Sequence, residues 1–101
     1  MASDLTYIGA VVLHAIRCGQ RYGFQIMAAT ELPSGTVYPA LRRLEKAGLI
    51  RSQWEKAAVA RAEQRPTRKY YQVTPDGESA LTEAGKRYRF PEVETAQKEA
   101  D

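Results

Sequence analysis

The sequence predicts a mainly α fold with a small β-hairpin. Before residue 50, three segments carry apolar residues at helical spacing between capping and breaking residues. Two short runs, "LIRSQWE" at 49–55 and "TRKYYQVT" at 67–74, alternate in the manner of strands. A last segment, "TPDGESALTEAGKRYRF", opens as a helix with Thr74 at the cap and Pro75 at the first position.

The first helix is expected to start from Ser3 or Asp4 and to run to Ile16. Leu5, Ile8, Val12, Ala15 and Ile16 form one stripe, and Tyr7, Val11 and His14 widen it past one face. A helix apolar on more than one side needs more than one partner. A chain of 101 residues buries a modest core, so a seam with a second copy is expected. "CGQRYG" breaks this helix, and "YGFQIMAAT" follows as a short second one, burying Phe24, Ile26 and Met27. The third helix, capped by Ser34, runs to about Ala47 and is stopped by Gly48. Val37, Ala40, Leu41 and Leu44 line its apolar side. Pro39 falls early enough that its missing N–H costs little. In the hairpin, Ile50 and Trp54 share a face, as do Tyr71 and Val73, and "KAAVARAEQRP" reads as a long polar loop. Ala80, Leu81, Ala84 and Tyr88 mark the apolar side of the last helix, which Pro91 ends or kinks.

Helix, helix, helix, hairpin, helix is the order of a winged helix-turn-helix with a C-terminal dimerisation helix. The expected organisation is a DNA-binding domain over 1–74, that helix over 75–90 and an acidic tail over 91–101. In this fold the helix at 34–47 is the one that enters the major groove. Its outward face offers Ser34, Gly35, Thr36, Tyr38, Pro39, Arg42, Arg43 and Lys46, which suits phosphate and base contacts. Charge follows the same division. Residues 17–75 carry a net +7 and the remainder −4, within a total of +3. A basic middle is expected of a surface that faces a polyanion.

Three blocks, "YGFQI", "SGTVYPALRRLEKAGLI" and "RKYYQVTPDG", with the Leu81 that follows, resemble the PadR family of transcriptional regulators over roughly residues 5–90. The resemblance implies a homodimeric regulator, usually a repressor, that binds a pseudo-palindromic operator and dimerises through its first and last helices. The short C-terminal part resembles the small subfamily. The wing tip, Ala-rich here and often Gly-rich in the family, is a departure, as is Pro91 directly after Phe90. The candidate DNA contacts are then the helix residues above, Tyr22 and Gln25 on the second helix, and Arg65, Arg68 and Lys69 on the wing at 56–68 and its edge. Leu5, Ile8, Val12, Ile16, Leu81, Ala84 and Tyr88 are the candidate dimer seam. An effector would sit between protomers, lined by Tyr7, Val11, His14 and Tyr88, and nothing in the residues fixes its identity.

Other functions find less support. One His and one Cys offer no nucleophile with its base and no metal set, so neither an enzyme nor a cofactor is expected. His14 reads as a seam histidine, Cys18 as an idle thiol and Trp54 as packed under its own sheet. No apolar run reaches membrane-spanning length, and the start lacks a secretory pattern, which suits a cytoplasmic protein. The competing reading is a winged helix used for protein contacts, since fold does not fix function.

Overall fold

Helix α1 spans Tyr7–Arg17, and its cap is Thr6, whose hydroxyl accepts from the Gly9 N–H at 3.0 Å. The start expected at Ser3 or Asp4 is therefore two to three residues too early. The computed structural model describes residues 5–91, so both of those residues, and the tail beyond Pro91, lie outside the described part. Helix α2 follows at Gly23–Thr30 and α3 at Ser34–Lys46. Pro33 takes the cap position of α3, and Ser34, expected there, is the first helical residue. Pro39 lies inside α3, so it has no N–H to offer the carbonyl of Gly35 four residues back. Gly48 ends α3 at φ +80°, a conformation that costs glycine little. There the N–H of Leu49 bonds Leu44 O and that of Gly48 bonds Glu45 O, closing the helix end.

Strands β1 (Ile50–Trp54) and β2 (Lys69–Val73) pair antiparallel with Ile50 opposite Val73 and Trp54 opposite Lys69. An isolated bridge joins Tyr22 to Tyr70, which ties the entry to α2 onto the hairpin. The connection is not the plain loop expected. Ala57–Ala62 form a short helix, α4, because four alanines in six residues favour helix over coil. Helix α5 covers Pro75–Ala84. Its cap is Thr74, which accepts from the Gly77 N–H and donates to Gly48 O at 2.7 Å, fastening α5 to the end of α3. The helix expected to reach residue 90 thus stops at Ala84, with Gly85 as its cap. Tyr88 lies beyond it, where its hydroxyl donates to Leu5 O at 3.3 Å.

One core joins these parts. Val12, Leu13, Ala15 and Ile16 of α1 meet Ile26, Val37, Ala40, Leu41, Leu44, Leu49, Ile50, Tyr71, Ala80 and Leu81. The width of the apolar surface on α1 therefore has an explanation inside the chain: α1 packs on α2, α3, β2 and α5 at once. Val11, Val12, Ile16, Leu81 and Ala84, expected at a seam or in its cleft, are buried within the single chain. Leu5, Ile8 and Tyr88 are half-buried and Tyr7 is exposed.

Candidate nucleic-acid interface

The apolar residues of α3 point into the core, so its opposite face is necessarily turned outward. Ser34, Gly35, Tyr38, Arg42, Arg43 and Lys46 are exposed there, and Thr36 and Pro39 are half-buried. Neither α2 nor α3 has a side-chain cap or an acid in its first turn, whereas Thr6 and Thr74 cap α1 and α5. At the entry to α2, the side chain of Gln25 accepts from the Arg21 N–H and so faces its own turn. Tyr22 is held between the helices and the wing. The Arg68 guanidinium lies 4.0 Å from the centre of its ring, and Tyr70 meets it edge-on at 5.7 Å.

Between α3, the start of α2 and the hairpin lies an open cleft of about 830 Å³. Tyr22, Tyr38, Arg42, Trp54, Arg68 and Lys69 are among its lining residues. One helix cation, Arg42, and the wing cations Arg68 and Lys69 therefore border the same concavity. Among the described residues, none of Arg42, Arg43, Lys46, Arg68 and Lys69 is in an ion pair with an acid. Their charge is free to act on something outside the chain.

Arg65 is different. Its Nη1 and Nη2 donate to the two oxygens of Glu55, both at 2.7 Å, and its Nε donates to Glu63 at 3.1 Å. With 17% of the Arg65 side chain and 6% of that of Glu55 exposed, this pair is internal to the wing. The hydrogen bonds from Arg65 hold the Glu55 carboxyl at a pKa of about 2 and push that of Arg65 up. Expected as a DNA contact, Arg65 has its guanidinium committed to the protein. The reason lies in a glutamate ten residues away across the wing, a pairing that no local pattern announces.

Two aromatic side chains also depart from expectation. Phe24, expected in the core, is 75% exposed, because α2 turns Ile26 inward and Phe24 outward. Trp54 is 62% exposed. It shares the face of Ile50, but the hairpin runs out past the helices there. Lys69 Nζ lies 5.6 Å from the Trp54 ring centre instead of a core side chain. Tyr71 is buried as expected.

Between α1 and the C-terminal segment, Tyr7 and Tyr88 pack edge to face at 5.4 Å, and His14 stacks on Phe90 at 4.8 Å. Cys18 Sγ lies 3.7 Å from His14 Nε2. Burial, then the charge of Arg17, lowers the His14 pKa, while burial raises that of Cys18. A raised pKa makes a poor thiolate. Among the described residues no group of His, Cys, Asp or Glu could hold a metal, and no helix is long and apolar enough to cross a membrane.

Residues 12–83 match the model of the transcriptional regulator PadR-like family. The chain belongs to this family. Several proteins of known structure share its fold, PadR-like regulators among them. One from hypervirulent Clostridium difficile is 27% identical, with a TM-score of 0.70 over 83% of this chain and 88% of that one. A PadR-like transcription factor from Bacteroides fragilis is 28% identical, with a TM-score of 0.62 over 79% and 77%. BpsR of Bordetella bronchiseptica, whose DNA binding is regulated by 6-hydroxynicotinic acid, is 25% identical, with a TM-score of 0.68 over 82% of this chain and 55% of that one. No curated protein matches the sequence. This PadR-like chain is thus a DNA-binding transcriptional regulator of mainly helical, winged-helix architecture, and the exposed face of α3 with the adjoining wing is its candidate interface.

Proposed function

We propose that the protein is a cytoplasmic, homodimeric repressor that reads a pseudo-palindromic operator. Each protomer inserts α3 into a major groove and lays the wing along the flanking backbone. The observation that carries this is the set of cations without an acid partner on α3 and the hairpin: Arg42, Arg68 and Lys69 line one cleft, and Arg43 and Lys46 are exposed on the same helix as Arg42. Arg42 and Arg43 serve as base readers and Lys46 as a phosphate contact, with Ser34, Gly35, Thr36, Tyr38 and Pro39 fitting the helix into the groove. Tyr22 and Gln25 stand at the backbone side. The first-turn N–H groups of α2 and α3, which no side chain caps, suit phosphate oxygens. The dimer forms through Leu5, Tyr7, Ile8 and Tyr88, the apolar groups of α1 and the C-terminal segment that the single chain leaves partly open. DNA binding that weakens steeply with added salt is the expected result, because each phosphate contact releases counterions.

The exposure of Phe24 and Trp54 favours a second reading, a winged helix that docks on another protein. Binding of a partner protein with no salt-dependent DNA binding would support it. An aromatic effector, as named for the Bordetella protein, is a reasonable regulator of this one too. Its site would adjoin the Tyr7–Tyr88 and His14–Phe90 pairs, where a second protomer could complete a cleft.

A further inference from the structure

Glu55 follows β1 at the mouth of the wing and gathers most of the wing's polar groups. It accepts two hydrogen bonds from Arg65 at 2.7 Å, one from the Arg68 N–H at 3.1 Å and one from the Tyr70 hydroxyl at 3.3 Å. The Glu55 N–H itself donates to Arg68 O at 2.8 Å. The loop is closed further by Arg65, whose N–H donates to Ala60 O at 3.1 Å, bringing the end of α4 back to the same point. Two of these partners lead straight to the candidate interface. The side chain of Arg68 lies over Tyr22, and the Tyr70 ring meets Tyr22 edge-on.

A bare carboxylate beside a surface meant for phosphates would repel them. Here the carboxylate is neutralised by a bidentate guanidinium, the geometry that lysine cannot reproduce. We propose that Glu55 and Arg65 are positioning residues for DNA binding: the pair closes the wing and sets Arg68 beside Tyr22, and Arg65 does not itself touch the duplex. This rests on the DNA-binding reading above and refines it by dividing the wing's cations into one that braces and others that bind.

The test uses the full chain and a labelled duplex that the wild-type protein has enriched from a random pool. Affinity is measured across a salt series for wild type, Arg65→Gln, Arg65→Lys, Glu55→Gln and Arg68→Gln, with helical content and melting recorded for each. Arg68→Gln should reduce the slope of log affinity against log salt by about one. Arg65→Gln should weaken binding by about fivefold or more, and any loss of slope should come from a displaced Arg68 and so persist in Arg65→Lys. Arg65→Lys, which keeps the charge and loses the fork, should lose about as much. Glu55→Gln should also weaken binding, although it removes a negative charge from a surface that meets DNA. The emission of Trp54, the chain's single tryptophan and the residue before Glu55, should shift in the free Arg65 and Glu55 variants. A slope lowered by about one in Arg65→Gln and restored in Arg65→Lys would make Arg65 a phosphate contact and overturn the proposal. Tighter binding by Glu55→Gln would overturn it as well. Wild-type protein that enriches no duplex overturns the DNA-binding reading itself, an outcome distinct from either.

Discussion

Arg42 and Arg43 are neighbours on α3, exposed and without an acid partner, whereas Arg68 lies across the cleft on the wing. Their surroundings assign them different work. A side chain on the helix can reach base edges, while one on the wing meets the backbone. Replacing a base-reading arginine of α3 by alanine should cost about 1–3 kcal/mol and relax sequence preference at one position. Arg68→Ala should weaken cognate and random duplexes alike. Competition titrations with both duplexes separate the two cases, and equal losses for all variants would contradict the division. The charge of Glu55 gives a prediction in pH. Its folded pKa is about 2 against an ordinary value of 4.5, so the clamp's contribution is complete above about 4.5 and is lost as pH falls towards 2. Trp54 emission of the folded chain should therefore stay flat through pH 4.5 and change only as the pH approaches about 2, where the folded Glu55 takes up its proton. In Glu55→Gln that acid step should be missing.

At the scale of elements, two glycines show what the helix contacts tolerate. A Cβ on Gly77, in the first turn of α5, would collide with the carbonyl oxygen of Leu49, a backbone atom that cannot step aside. Gly77→Ala should destabilise the domain by about 1–3 kcal/mol, seen as a lowered melting temperature. A Cβ on Gly23 would meet the far end of the Tyr38 ring, which is 40% exposed and free to swing. Gly23→Ala should therefore melt nearly as wild type and bind DNA less well, because Tyr38 leaves its place on α3. Equal melting losses for the two variants would show the α2–α3 contact to be as rigid as the one between α5 and Leu49. Which elements could be read from the sequence follows from the range of the forces that form them. The buried set Val37, Ala40, Leu41 and Leu44 repeats at helical spacing, so α3 and its outward face were legible without coordinates. Thr74 and Pro75 likewise marked the start of α5. Helix α4 is hidden in the sequence although "AAVARA" carries its propensity openly, because a polar stretch before a proline reads as loop. Gly85 caps α5, and the apolar spacing of Tyr88, which suggests a longer helix, hides that stop. The exposure of Phe24 and Trp54 and the Glu55–Arg65 pair were not legible. They depend on where the hairpin projects relative to the helices, which no local spacing encodes.

For the whole molecule, the central relation is between the core and the dimer. Val12 and Leu41 are both essentially without exposure, so an aspartate at either should unfold the chain. Ile8 is only half-buried, and Ile8→Asp should dissociate the proposed dimer with less damage to the fold. Sedimentation at micromolar concentration, with circular dichroism on the same samples, checks this. A stable folded monomer of the wild-type protein would refute the dimer. The histidine at this end adds a pH effect. Burial beside Arg17 lowers the folded pKa of His14 below the unfolded 6.5, so the unfolded chain takes up the proton first. Stability should be undiminished above about 6.5 and fall as the pH drops through that value. His14→Gln should flatten this part of the profile. A twofold dimer presents α3 twice, and successive major grooves on one side of B-DNA are about 34 Å apart. Selection of bound duplexes from a random pool, with wild type and an Arg42→Ala, Arg43→Ala double variant in parallel, is the most direct measurement of the central claim. The expected result is an inverted repeat with half-site centres about ten base pairs apart, or a multiple of that, enriched by the wild type and lost in the double variant. Enrichment of no consensus by the wild type, or of the same consensus by both proteins, would contradict recognition through α3.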